Sequence, residues 1–350
     1  MRNASPTDVL PLPLDRSSTE NAQARRSREL AIAVLIPCYN EEAAVARVVG
    51  EFRSALPSAA IYVYDNNSTD DTMKVAAATG AFVGLETTQG KGHVVRRMFA
   101  DVEADVYVLV DGDATYDAAS APRMIHALLD RQLDMVVGCR VETQAEAYRS
   151  GHRFGNALLT SSVNFLFARR FTDMLSGYRI FSRRFVKSFP ALSKGFEIET
   201  ELTVHALELA MPVGEVRTPY GARPEGSVSK LRTYSDGLKI VLLIAALYRS
   251  ERPLPFFSWI SALLLGTAIV LAFPLLQTFL ESGLVPRIPT AILATGLCIL
   301  AALSFACGLV LDTVTRGRRE MKRLAYLTVP VTIGRFRDSD RIESVGRTAA

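Results

Sequence analysis

Asp111 and Asp113 stand on either side of Gly112, directly after the apolar run Val106 to Val110. Two carboxylates released together where a buried strand emerges repel each other unless a cation lies between them. A divalent ion held there can bridge a diphosphate and neutralise the charge that grows as a nucleotide departs. In an arbitrary sequence such a pair is more often a solvated acidic turn. Here three further polar clusters follow apolar runs: Asn40 and Glu41; Asp65 and Asn66, leading through Asn67, Ser68 and Thr69 to Asp70; and Gly90-Lys91-Gly92. Asp65 can accept hydrogen bonds from a base or ribose, and it can equally cap the turn before a helix starting at Thr72.

Other chemistries fit less well. The run Gly84 to Gly92 is not a phosphate-binding P-loop, because its first glycine lies one residue too far away and position 92 is Gly where Ser or Thr would hold magnesium. No GxGxxG follows the first strand, which counts against a nicotinamide or flavin enzyme. His93 and His205 lack zinc spacing and read as structural. The segment Gly195 to Glu201 places Glu197, Glu199 and Glu201 around a helix start, where capping and a role toward substrate are equally good readings.

The elements that must carry these residues alternate. Ala31 to Leu35, Ile61 to Tyr64, Ala81 to Leu85 and Tyr107 to Val110 read as strands with helical patterns between them. Met135 to Gly138, Gly177 to Phe181 and Val213 to Thr218 add further strands, and helices are expected at Gly155 to Phe167 and Glu197 to Leu209. The pattern implies an α/β fold with a Rossmann-like, doubly wound, mostly parallel sheet. Ligands of such sheets collect at the carboxyl ends of the strands, so the four polar loops converge on one crevice.

A chain of 350 residues, 49% hydrophobic and 22% charged, suffices for one large globular domain and an appendage. The excess apolarity lies between about Pro255 and Leu311, in two uncharged stretches, Pro255 to Leu280 and Ile288 to Leu311, each long enough to cross a bilayer. They read as a transmembrane helical hairpin. Lys239, Arg249 and Arg252 precede it and Arg316, Arg318, Arg319, Lys322 and Arg323 follow it, whereas the connecting loop sets Arg287 against Glu281. Both termini and the large domain are therefore expected in the cytoplasm, on a multi-pass protein of the cell membrane, the inner one if the source is bacterial. Leu238 to Tyr248 reads as an interfacial helix. The boundaries follow: a flexible lead-in at 1–30 without signal-peptide character, a catalytic domain at 31–235, an interfacial helix at 236–254, two transmembrane helices at 255–312 and a basic cytoplasmic tail at 313–350. The formal charge of +4 is small and dispersed, which argues against nucleic acid as a partner, and four cysteines without CxxC spacing fit a reducing compartment. Self-association through Gly266 or Gly296 stays open.

Ile36-Pro37-Cys38-Tyr39-Asn40-Glu41, Asp65 to Asp70, Gly90-Lys91-Gly92 and Asp111-Gly112-Asp113 resemble the motifs of the family 2 glycosyltransferases. Asp173 to Arg179 (DMLSGYR) and Arg223 with Gly226 to Lys230 are similar to the dolichyl-phosphate mannose synthases and the bacterial polyprenyl-phosphate glycosyltransferases. The likeness spans about residues 31 to 240. It implies an A-type glycosyltransferase fold, a nucleotide diphosphate sugar (GDP- or UDP-linked) as donor, a polyprenyl phosphate as acceptor, membrane lipid as surroundings and Mg or Mn as cofactor. It further implies that Pro37, Tyr39, Glu41 and Asp65 contact the nucleotide with Lys91 nearby, and that Asp111 and Asp113 face the metal. Arg140, Arg153 and Arg223, grouped with them as catalytic, would hold donor or lipid phosphates together with Ser227 and Lys230, and Ser176 and Ser229 would join the acceptor or phosphate side. Thr115 departs from the pattern, since the mannose synthases usually carry Gln there.

A lipid phosphate is already ionised near neutral pH, so inverting in-line attack needs no base. Transfer to a hydroxyl on a lipid or polysaccharide would need one, for which Asp173 or Glu199 is the candidate. A catalytically inactive membrane adaptor or nucleotide-sugar sensor is the reading from another class, and the intact aspartate pair opposes it. A processive synthase would carry QxxRW, but the sole tryptophan, Trp259, begins an apolar span without that motif.

Overall fold

The computed structural model describes residues 28–142, 160, 161, 163, 171–193, 195, 197–223, 245–331 and 336. The lead-in up to residue 27, most of the helix expected at Gly155 to Phe167 and the first part of the interfacial segment, residues 236–244, lie outside them. The first half winds regularly: β1 (Ile32–Cys38), α1 (Val45–Ala55), β2 (Ala60–Asp65), α2 (Thr72–Ala78), β3 (Phe82–Leu85), α3 (Lys91–Asp101), β4 (Val106–Leu109) and α4 (Ala121–Asp130). There follow β5 (Met135–Glu142), β6 (Arg179–Ser182), α5 (Arg183–Ser188), α6 (Ile198–Glu208) and β7 (Val213–Tyr220). Two long helices close the list, α7 (Pro253–Ser282) and α8 (Ile288–Thr328).

The strands form one sheet in the order β3-β2-β1-β4-β6-β5-β7. Its β3-β2-β1-β4 half is parallel, and β5 pairs with β7 in parallel. The expectation of a mostly parallel sheet holds, with one inversion: β6 runs antiparallel to both neighbours, β4 and β5. Strands buried on both faces need apolar residues at successive positions, which is why β1 reads as a continuous run. Ala33 and Leu35 face a cluster with Met98, Phe99, Phe181 and Phe185, whereas Val34 and Ile36 face another with Val48, Phe52, Met124 and Ile125. Register aligns Cys38 with Asp65 and Asp65 with Leu85, so the first three strands end level and release their loops together.

α7 and α8 are both long and apolar enough to cross a membrane and lie side by side. Their seam uses small residues one heptad apart, Ala294, Ala301, Gly308 and Thr315, the buried positions of α8. Gly308 lets Phe257 approach, since a Cβ there would lie 2.9 Å from the Phe257 Cβ. Gly266 and Gly296 lie off this seam, with nothing within 4 Å of where a Cβ would stand.

α8 does not end where its apolar run ends. It continues past Leu311 to Thr328, so the segment expected as a basic tail begins as a helical stem. Lys322 Nζ lies 2.6 Å from Glu208 on α6, whose side chain is wholly buried. Arg318 and Arg319 reach Glu251 at 3.0 and 3.1 Å. Tyr326 Oη donates to Asp134 Oδ2 at 2.8 Å, and the Arg184 guanidinium lies 4.9 Å from the centre of the Tyr326 ring. His205 on α6 is packed between Phe185 and Phe189, each 5.3 Å away ring to ring, as its structural reading requires.

Two outcomes test this packing. Lys322→Met leaves the enclosed Glu208 carboxylate short of a counterion and lowers stability by about 3 kcal/mol, whereas adding Glu208→Gln recovers most of the loss; denaturant unfolding of the single and double variants measures it. Burial first, and the nearby Lys322 charge second, hold the His205 pKa at about 3, below its ordinary 6.5. The unfolded chain then binds a proton that the folded one refuses, so stability falls as pH drops from 6.5 toward 3, by a few kcal/mol on the order expected for that shift. His205→Gln should flatten that part of the pH–stability curve, and an unchanged slope would assign it to other groups.

Candidate active site

The polar loops are fastened to one another by hydrogen bonds between side chains and backbone. Asn66 donates to the carbonyls of Glu86 (3.1 Å) and Thr88 (2.9 Å) and accepts from Gly90 N–H at 2.7 Å, which fixes the approach to α3 and hence Lys91. Asn40 Oδ1 accepts from Thr69 N–H, Ser68 Oγ accepts from Asn40 N–H, and Thr72 Oγ1 accepts from Glu41 N–H, each at 2.8 Å. Asn40, Asn67 and Ala114 have positive φ of 52°, 60° and 56°. Asparagine tolerates that conformation better than alanine, so the turn just after Asp113 carries local strain.

Asp65 is buried at the end of β2. Its Oδ2 accepts from Ser68 N–H at 2.9 Å, which is the expected turn cap, while its buried Oδ1 has no hydrogen-bond partner among the described residues. Pro37 and Tyr39 lie half-buried at the end of β1 and just past it, and Glu41 is buried in the next loop. β1 separates β2 from β4 in the sheet, so Asp65 and the aspartate pair flank the end of β1 from opposite sides.

The paired aspartates each meet a cation of the chain. Lys91 Nζ lies 2.5 Å from Asp111 Oδ1 and also pairs with Glu199 of α6. Arg223 lies 2.7 Å from Asp113 Oδ2, carried there because Gly221 N–H bonds Thr115 O at 2.9 Å just beyond β7. Thr115 Oγ1 donates to Asp113 Oδ1 at 2.6 Å, so the residue that departs from the family pattern binds the second aspartate directly. Burial, then the Asp111 charge, raises the Asp113 pKa above its ordinary value against the opposing pull of Arg223. Burial alone would lower the Lys91 pKa, but Asp111 and Glu199 together raise it.

Close packing holds the pair in place. A Cβ on Gly112 would stand 2.5 Å from Cys38 Sγ, and one on Gly177 would collide with the Asp111 carboxylate. Gly177 N–H donates to Tyr116 Oη at 2.8 Å. Arg179, wholly buried, supports this loop by donating to the carbonyls of Ser176 (2.9 Å) and Met174 and to Thr203 Oγ1 (2.8 Å). Arg140 forms a two-pronged pair with Asp173, Nε and Nη2 each 2.7 Å from a carboxylate oxygen, and its guanidinium stacks over Tyr220 at 5.5 Å.

Asp111, Asp113, Lys91 and Arg223 are thus brought together, with Arg140 on Tyr220 beside the strand that leads to Arg223. Ser176 does not join them as an expected phosphate ligand. It is fully buried and donates to Gly138 O at 2.6 Å, because its hydroxyl ties the loop to β5. Arg153, Ser227, Ser229 and Lys230 lie outside the described residues. Among the described residues no group of three His, Cys, Asp or Glu is disposed around a metal position. Of the three acids at the start of α6, Glu201 accepts from the Leu192 and Ser193 amides and Glu197 from Gly195, while Glu199 turns to Lys91. Sequence alone gave no means of separating them. Gly177 and Arg179 lay within the DMLSGYR motif, which is the signal that could have singled them out.

The family described as "Glycosyl transferase family 2" matches residues 33–189. A relative, glycosyltransferase AglJ of Haloferax volcanii, is 31% identical over 304 residues, covering 85% of this chain and 98% of that one. A second relative from Haloferax volcanii, a dolichyl-phosphate hexose transferase, is 26% identical over 221 residues, 63% of this chain and 95% of its own. Among solved structures, glucosyl-3-phosphoglycerate synthase from Mycobacterium tuberculosis, in complex with Mn2+, uridine diphosphate and phosphoglyceric acid, superimposes with a TM-score of 0.51 at 22% identity, covering 69% of this chain and 84% of that one. That likeness establishes the A-type glycosyltransferase fold.

Gly177→Ala should destabilise the protein by about 1–3 kcal/mol and displace the Asp111 carboxylate from Lys91. Denaturant unfolding with a crystal structure of the variant checks both, and an unmoved Asp111 would refute the packing argument.

Proposed function

The chain belongs to glycosyl transferase family 2, and on that footing we propose that it transfers a sugar, with inversion, from a GDP- or UDP-sugar to a membrane polyprenyl phosphate. The observation that carries this reading is the convergence of the aspartate pair with Lys91, Arg223 and Arg140 at one edge of the sheet. Such a site suits two phosphate-bearing substrates, because arginine can bond two oxygens of one phosphate at once. The dolichyl-phosphate hexose transferase among the relatives supports the lipid acceptor.

A divalent cation, Mg2+ or Mn2+, fits the residues present. Burial and, after it, the Asp111 charge raise the Asp113 pKa, and a dipositive ion between the two carboxylates would relieve the repulsion that Asp111 contributes. Asp111 and Asp113 would hold it, and when bound it would offset the charge of the departing diphosphate. Asp65, whose buried Oδ1 lacks a partner among the described residues, is suited to accept from the nucleoside, with Pro37, Tyr39 and Glu41 lining the same edge. Lys91 serves the diphosphate. Arg140, Arg153 and Arg223 orient the two anions, and Ser227, Ser229 and Lys230 complete the acceptor side.

The phosphate acceptor attacks without losing a proton, so these residues bind and orient and none acts as base. A hydroxyl acceptor would need a free carboxylate. Both candidates are engaged: Asp173 in the two-pronged pair with Arg140, and Glu199 with Lys91. Residues 31–235 form the catalytic unit in this reading, preceded by a lead-in at 1–30, with 236–254 at the interface, 255–312 spanning the cell membrane and 313–350 returning to the cytoplasm. The basic residues at the outer ends of the hairpin support that orientation.

The test incubates detergent-solubilised full chain with labelled GDP- and UDP-sugars, with and without polyprenyl phosphate, with Mn2+, Mg2+ or a chelator. A lipid-linked sugar of inverted configuration should form only with metal, and Asp113→Ala should lower its rate by about 100-fold or more. Donor hydrolysis without any lipid product would overturn the acceptor assignment.

A further inference from the structure

Lys91 opens α3 and reaches two carboxylates from different parts of the fold, Asp111 after β4 and Glu199 in the first turn of α6. The ammonium is nearly enclosed, with 11% of the Lys91 side chain and 8% of the Glu199 side chain exposed. The pairing with Glu199 is not an incidental feature of an acidic helix start, because Glu197 and Glu201 are occupied with loop amides.

Asp111 therefore faces two cationic claimants, the Lys91 ammonium seen here and the divalent ion of the reading above. A buried ammonium deprived of its only carboxylate would be left uncompensated, and a cation entering against that penalty would bind weakly. Glu199 removes the conflict. It offers the ammonium a second carboxylate already within reach, so Lys91 loses one partner and keeps the other. Among the described residues the carboxylates Asp111, Asp113 and Glu199 are paired with the cations Lys91 and Arg223, so an incoming cation meets a cluster whose ammonium keeps a carboxylate of its own.

We propose that Glu199 is a positioning residue that retains the Lys91 ammonium when Asp111 turns to the divalent cation, keeping Lys91 at the donor diphosphate while the cation enters. This rests on the assignment of Asp111 to the metal, and it adds a residue that acts through Lys91 without touching metal or substrate.

The test is direct Mn2+ binding to the full chain in detergent, read from the loss of the free-ion electron paramagnetic resonance signal, for wild type, Glu199→Gln, Lys91→Met and the double variant. Glu199→Gln should weaken binding about tenfold, because Mn2+ must then strip Lys91 of its last carboxylate; in the Lys91→Met background the same change should alter binding less than about threefold. Weakening of equal size in both backgrounds would mean that Glu199 acts on the ion itself, and no weakening in either would mean that it does not act at all; each overturns the proposal. If Glu199→Gln does not fold, Glu199→Asp takes its place, and a partial weakening abolished by Lys91→Met supports the proposal while one that persists overturns it. A wild type that binds no Mn2+ would overturn the metal assignment itself, a failure distinct from the loss of coupling.

Discussion

Two carboxylates released side by side at the end of a buried strand are the constraint on which the rest of this structure turns. Like charges so close, partly withdrawn from water, require positive charge from elsewhere in the chain. Lys91 must come from the start of α3 and Arg223 from beyond β7, and these residues are far apart in sequence. Asn66 anchors the loop that delivers the first, and the Gly221–Thr115 backbone bond turns the chain toward the second. Even the glycines on either side follow from it, since Gly112 leaves room for Cys38 and Gly177 leaves room for Asp111.

A second group of buried charges joins the sheet domain to the helical hairpin. Glu208 and Glu251 lie among Arg318, Arg319 and Lys322 where the stem of α8 meets α6. The two carboxylates interact, and burial followed by the Glu208 charge raises the Glu251 pKa. Ion pairs of this kind add little net stability over an apolar contact, but they tolerate few alternative arrangements. They fix one orientation of domain on stem, and Tyr326 adds a directional bond through Asp134.

The parallel half of the sheet was legible because strands buried on both faces must be continuously apolar and the loops at their ends conspicuously polar. The antiparallel insertion of β6 was not, since its four residues satisfy the same burial in either direction. The two apolar spans were plain from composition. The continuation of α8 to Thr328 was hidden by its charges, which read as a solvated tail until the fold supplied Glu208 and Glu251 as partners. Ser176 failed as a ligand for a related reason: a hydroxyl in a motif carries no mark of whether it faces a crevice or the neighbouring strand. Residue types marked which loops are polar, but tertiary packing decided which of several equivalent groups meet one another.

α6 connects these two charge centres. Glu199 in its first turn belongs to the site, and Glu208 at its last position belongs to the stem. At 1.5 Å per residue the helix sets them about 14 Å apart along its axis. A helix can be lengthened by one residue only with a rotation of about 100°, which would swing one glutamate away from its lysine while the other stayed in place. The separation between the Lys91 cluster and the stem is thus a discrete quantity, adjustable in this architecture by whole helical turns and not by small increments. A longer separation would have to come from the stem or from the loops, which leaves α6 as the fixed spacer between the two charge centres.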